Sequence, residues 1–147
     1  MELRDRIGGF ISSLNTVQKI IFYIVCIHFL PYILDVIFYL FKVEFKSQSI
    51  FKWFYISADF SELIFKPWSI FTYGFFHNQS SFSHIFWNMI LFYYFGNIVY
   101  DLFGKKTLKR LFFSGIIAGG LTYIVSYNLF PVFSGIKSVS YTHLTLP

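Results

Sequence analysis

The sequence predicts an all-α membrane protein: three transmembrane helices with a long interfacial loop between the first and second. Three observations lead there. Apolar residues make up 56% of the 147-residue chain and charged residues only 13%, against roughly a quarter charged in an average soluble domain. Aromatics reach 24%, with 22 Phe and 11 Tyr, leaving too little polar surface to cover a water-soluble body. Finally, the charges fall in short clusters that flank apolar runs, which is the pattern of membrane topology. The net charge of +5 therefore does not point to nucleic acid, whose binders gather cations along one face.

Residues 1–16 carry Arg4 and Arg6 among polar neighbours and read as a cytoplasmic lead-in. From 17 to 41 the chain is almost wholly apolar. At about 1.5 Å rise per residue, such a helix covers the roughly 30 Å hydrocarbon core. Pro31 is a kink position within it, and His28 and Asp35 are ionisable groups at or near membrane depth. A proton relay is one reading of those two; an inward hydrogen bond or an interfacial position is the commoner use. The lone Cys26 offers neither a disulfide nor a cysteine metal site within one chain.

Residues 42–83 interleave Trp53, Tyr55, Trp68 and Tyr73 with Lys46, Lys52, Asp59, Glu62 and Lys66, and Pro67 interrupts them. Such a segment does not span. It suits the headgroup layer, with one or two short helices lying in it. The second span runs from 82 to 102, a basic turn follows with four Lys or Arg in 105–110, and the third span runs from 108 to 130. The positive turn is cytoplasmic, which puts the amino terminus on the same side and the 42–83 loop on the opposite face. In the third span Gly115-x-x-x-Gly119 is a small-residue face suited to close helix approach, read as packing inside one bundle.

The most concentrated chemistry lies where the loop enters the second span. His84 and Asn88 are four apart, hence on one helical face, and His77 lies seven residues upstream. A neutral imidazole and an amide can both donate to a developing oxyanion without burying a charge. They can equally satisfy each other, with Ser81 or Ser83 as the helix N-cap. Two histidines seven apart without a third ligand do not make a metal site.

Lys66-Pro67-Trp68-Ser69-Ile70-Phe71-Thr72-Tyr73-Gly74-Phe75-Phe76-His77, then His84-x-x-x-Asn88, then Phe95-Gly96 and Gly104, resembles the front half of the rhomboid family over about residues 17–138. The resemblance implies a partial rhomboid-like helical bundle belonging to an intramembrane serine endopeptidase that cleaves membrane proteins. It implies that His84 and Asn88 support the oxyanion hole, with His77 nearby. Tyr100 stands where many rhomboids have Glu, four residues before the turn glycine. The implied setting is a multi-pass protein of the plasma (inner) membrane, with the bilayer and transmembrane substrates as partners and no nucleic acid, metal or organic cofactor.

The family's Gly-x-Ser nucleophile and its base histidine lie on later spans, and Ser114-Gly115 and Ser134-Gly135 lack the preceding glycine. The chain is thus expected to be an inactive N-terminal part, truncated before the catalytic serine. Its final residues 139–147, Val-Ser-Tyr-Thr-His-Leu-Thr-Leu-Pro, resemble an in-frame translation of a transposase sequencing adapter, so His143 is not a catalytic candidate. A rhomboid-fold pseudoprotease that binds transmembrane helices without cleavage is the alternative.

Overall fold

A computed structural model describes residues 3–76 and 82–130, all of whose regular elements are helical. Helix α1 spans Leu3–Ser13 and α2 spans Thr16–Leu40. Three short helices follow, α3 (Gln48–Phe51), α4 (Phe60–Phe65) and α5 (Ser69–Thr72), with 3₁₀ turns at Lys52–Phe54 and Tyr73–Phe75. Helix α6 runs Phe82–Leu129.

The lead-in is therefore helical. It is separated from α2 because Asn15 takes a cap conformation: its side chain accepts from Gln18 N while the Gln18 side chain accepts from Asn15 N, the reciprocal capping box. Asn15 Nδ2 also donates to Asn97 Oδ1 at 3.1 Å, pinning the start of α2 to α6. Beside that link a Cβ on Gly96 would meet Val17 Cγ1 at 3.1 Å, so the missing side chain lets the two helices touch. Helix α2 continues unbroken through Pro31.

Where the sequence leads one to expect separate second and third spans with a loop between, the structure has one long helical path, giving two long apolar helices in all. Its 48 residues would reach about 72 Å if straight. They do not run straight: Gly104 has φ 78°, ψ 170°, and the rings of Phe92 and Phe112 meet at 5.3 Å, although 20 helical residues cover about 30 Å. The two arms double back at one residue. The basic residues Lys105, Lys106, Lys109 and Arg110 consequently lie in helix, not in a loop, in keeping with the good helix propensity of Lys and Arg. The conformation of Gly104 is nearly confined to glycine, so Gly104→Ala is expected to destabilise by about 1–3 kcal/mol, read as a lowered thermal midpoint in detergent.

Only 17% and 22% of the residues in the most apolar stretches of α2 and α6 are buried. Phe29, Ile33, Val36, Leu91, Ile98 and Val125 are among the large side chains left exposed. A helix from the core of a soluble protein would hide such groups; these two suit a lipid solvent.

The 42–76 segment holds three short helices where one or two are expected, and it folds upon itself. Asp59 caps α4 through Ser61 N (2.9 Å), Trp68 Nε1 donates to Trp53 O (2.9 Å), and Thr72 Oγ1 donates to Phe54 O (2.8 Å). Phe51, Phe54 and Tyr55 gather around Phe76 with centroids 5.3–5.9 Å away. Asp35 accepts from Ser47 N at 2.7 Å, an ordinary structural use that holds the segment to the end of α2. His28 is buried against the rings of Phe29 and Tyr32, and its Nδ1 has no partner among the described residues.

Candidate active site

The folded loop lies along the second arm of α6. Tyr73 Oη donates to Ile116 O at 2.6 Å, Phe71 and Phe113 stack at 5.4 Å, and Asn128 Nδ2 donates to Ala58 O at 2.9 Å. Those anchors spread over 15 helical residues, about 22 Å. The small-residue face of this arm serves the loop. A Cβ on Gly120 would meet Tyr73 Cε1 at 3.0 Å, Ile56 Cδ1 at 3.1 Å and Ile70 Cγ1 at 3.3 Å, and one on Gly119 would meet Tyr73 Oη at 2.8 Å. Gly115 has no such neighbour. Of the Gly-x-x-x-Gly pair only Gly119 is met within the described residues, by Tyr73 of the loop, while Gly120, outside the motif, makes the closest three-sided fit, partly against Ile70 of α5. The Tyr73-Gly74 pair beside Thr72 was the available signal, because Gly74 sits so close to Ile116 that any Cβ would fall within 2.9 Å of its side chain.

Burial pushes the Tyr73 hydroxyl above the usual tyrosine range, and the Gly120 N–H opposes this weakly. The folded form therefore favours the neutral phenol. Its contribution is whole below the unfolded value of about 10 and disappears as pH rises through the higher folded value. Loop anchoring, followed by hydrogen exchange, is expected to weaken above pH ~10. Tyr73→Phe should lack that alkaline component and be weaker at neutral pH by about 1 kcal/mol.

By holding the 42–76 segment, these contacts bring the chain back to the start of α6, where the candidate residues stand. Phe82 opens the helix, Ile85 is buried, and His84 and Asn88 project from an exposed face. Asn88 Nδ2 lies 3.2 Å from His84 Nε2. An amide nitrogen only donates, so a hydrogen bond in this arrangement uses the tautomer in which the imidazole Nε2 accepts. The two polar heads converge on one small volume. Asn88 lies about 9 Å along the axis from Phe82, and the exposed Phe82, Phe86 and Trp87 are the aromatic residues expected at a membrane surface. Ser83 falls within the first turn and is not the N-cap; Ser81 and His77 lie outside the described residues.

The Rhomboid domain family model matches residues 65–145, more than half of the chain. The chain belongs to the rhomboid family. The matched span takes in the loop from Phe65, both arms of α6 and the His84–Asn88 pair, and begins after α2. It ends within the terminal segment 139–147. No curated protein and no solved structure gives a match. Family and exposed apolar helices together make this rhomboid an integral membrane protein of a serine protease family.

Proposed function

We propose that this chain is the N-terminal part of a rhomboid-type intramembrane serine endopeptidase that hydrolyses peptide bonds of transmembrane proteins. Family membership supplies the reaction class. The observation that carries the assignment of residues is the 3.2 Å approach of Asn88 Nδ2 to His84 Nε2 on an exposed helical face. In the reaction, Asn88 N–H donates to the oxyanion of the tetrahedral intermediate, and His84 turns from accepting to donating through the tautomer with its proton on Nε2. His77, which the rhomboid resemblance sets beside the oxyanion hole, lies outside the described residues. The attacking serine and its base histidine come from later spans, so residues 1–147 alone are inactive.

Each arm of α6 crosses the bilayer, giving three spans with α2. The amino terminus and the Lys105–Arg110 end are cytoplasmic, in the plasma (inner) membrane, and the 42–83 loop is half-submerged on the opposite face. Residues 139–147 are a non-native tail, although the family match reaches 145; the abrupt change to polar sequence supports this.

Sequencing the parent locus past Ser138 tests the reading. A Gly-x-Ser in the next apolar span and a histidine two spans later are expected. Their absence from an otherwise complete bundle would leave a helix-binding pseudoprotease, and an unbroken native reading through 139–147 would remove the tail assignment.

A further inference from the structure

Helix α2 ends in an unusual way. Val43 N donates to Phe38 O at 2.9 Å and Lys42 N to Tyr39 O at 3.1 Å, the paired bonds of a Schellman cap. The residue at the left-handed position of this cap is normally glycine, and here it is Lys42, with φ 54°. A lysine at that position costs stability that glycine would not, so the backbone gives no reason for its side chain.

A cleft of about 810 Å³ opens beside this cap, lined by Asp35, Phe38, Tyr39, Lys42, Glu44 and Lys46 among others. Lys42, Glu44 and Lys46 are exposed and make no ion pair among the described residues. Asp35 is already engaged by Ser47 N. The 25 residues of α2 measure about 37 Å, more than the roughly 30 Å of hydrocarbon. Its last turn and the cleft therefore lie in the headgroup layer, where aromatic residues such as Phe38 and Tyr39 are at home.

We propose that this cleft binds a phospholipid headgroup carrying a primary ammonium, of the phosphatidylethanolamine class. Lys42 and Lys46 hold the phosphodiester. Glu44, aided by the negative end of the α2 dipole, takes the ammonium. Phe38, Tyr39 and Phe45 cover the glycerol and the first acyl carbons. Two cations and two carboxylates match a zwitterion and do not favour a purely anionic lipid.

The test is native mass spectrometry of the delipidated chain in detergent, titrated with phosphatidylethanolamine, phosphatidylcholine or inorganic phosphate. Wild type should hold phosphatidylethanolamine about fivefold more tightly than Lys42→Gly or Lys46→Gln. Phosphatidylcholine, which has no N–H to donate, should bind more weakly, and Glu44→Gln should erase that difference. Lys42→Gly should meanwhile keep or raise the thermal midpoint, because glycine suits the cap. Undiminished binding by Lys42→Gly, or equal binding of the two lipids by wild type, would overturn the proposal. Displacement of the lipid by millimolar phosphate would overturn the lipid assignment in favour of a free phosphate site. Should Lys42→Gly lose lipid and midpoint together, retention of lipid by Lys46→Gln would decide against it.

Discussion

In the full-length protein, Asn88→Ala is expected to lower kcat for peptide cleavage by about 10²–10³-fold while leaving KM nearly unchanged. In the proposed role its N–H donates only once the carbonyl oxygen becomes an oxyanion, so the loss falls on the transition state. His84→Ala should fall in the same range. The double variant should fall far short of the product of the two, because both groups converge on one volume, 3.2 Å apart. Neither change should unfold the protein. His84 is exposed and Asn88 half-exposed, and the hydrogen bond between them contributes about 1 kcal/mol. Unchanged kcat in both single variants would remove these residues from the oxyanion hole while leaving the family assignment in place.

Gly120→Leu should be the most disruptive substitution for the fold among the small residues of α6. Its first added carbon already meets Tyr73, Ile56 and Ile70 at 3.0–3.3 Å, and Tyr73 is tied in place by its bond to Ile116 O. Three groups on three parts of the loop cannot all withdraw, so the loop must lift from the helix. Overpacking of this kind costs about 2–3 kcal/mol. The measurement is the thermal midpoint in detergent with hydrogen exchange across 54–76, where protection should fall. Gly115→Leu, whose Cβ meets nothing within 4 Å, serves as the comparison and should change the loop little. Equal effects at the two glycines would contradict the close fit at Gly120.

The long helices were legible because their signal is local. An apolar run from 17 to 41 becomes Thr16–Leu40, and the run beginning at 82 begins at Phe82. The turn expected over 105–110 is not there: four basic residues suggest a loop, whereas Gly104 alone reverses the chain and helix resumes at Lys105. The interior of the 42–83 loop was much less legible. Its fold depends on partners 15, 18 and 43 residues apart, Trp68 with Trp53, Thr72 with Phe54 and Tyr73 with Ile116, and no short-range periodicity encodes such pairs. Gly120 was missed for the same reason, since a glycine within a helix reveals its neighbour only in three dimensions. The pairing of His84 with Asn88 was foreseeable from i, i+4 spacing. Their use in stabilising an oxyanion rests on family resemblance and chemistry, because spacing alone is also satisfied by two groups bonding each other.

Labelling the full-length protein with a serine-directed fluorophosphonate tests whether these residues serve a serine hydrolase within the membrane. Covalent labelling of one serine is predicted, slowed in Asn88→Ala because the probe's phosphoryl oxygen occupies the same hole. A folded full-length protein that takes up no label would contradict it and leave a rhomboid fold that binds transmembrane helices without cutting them.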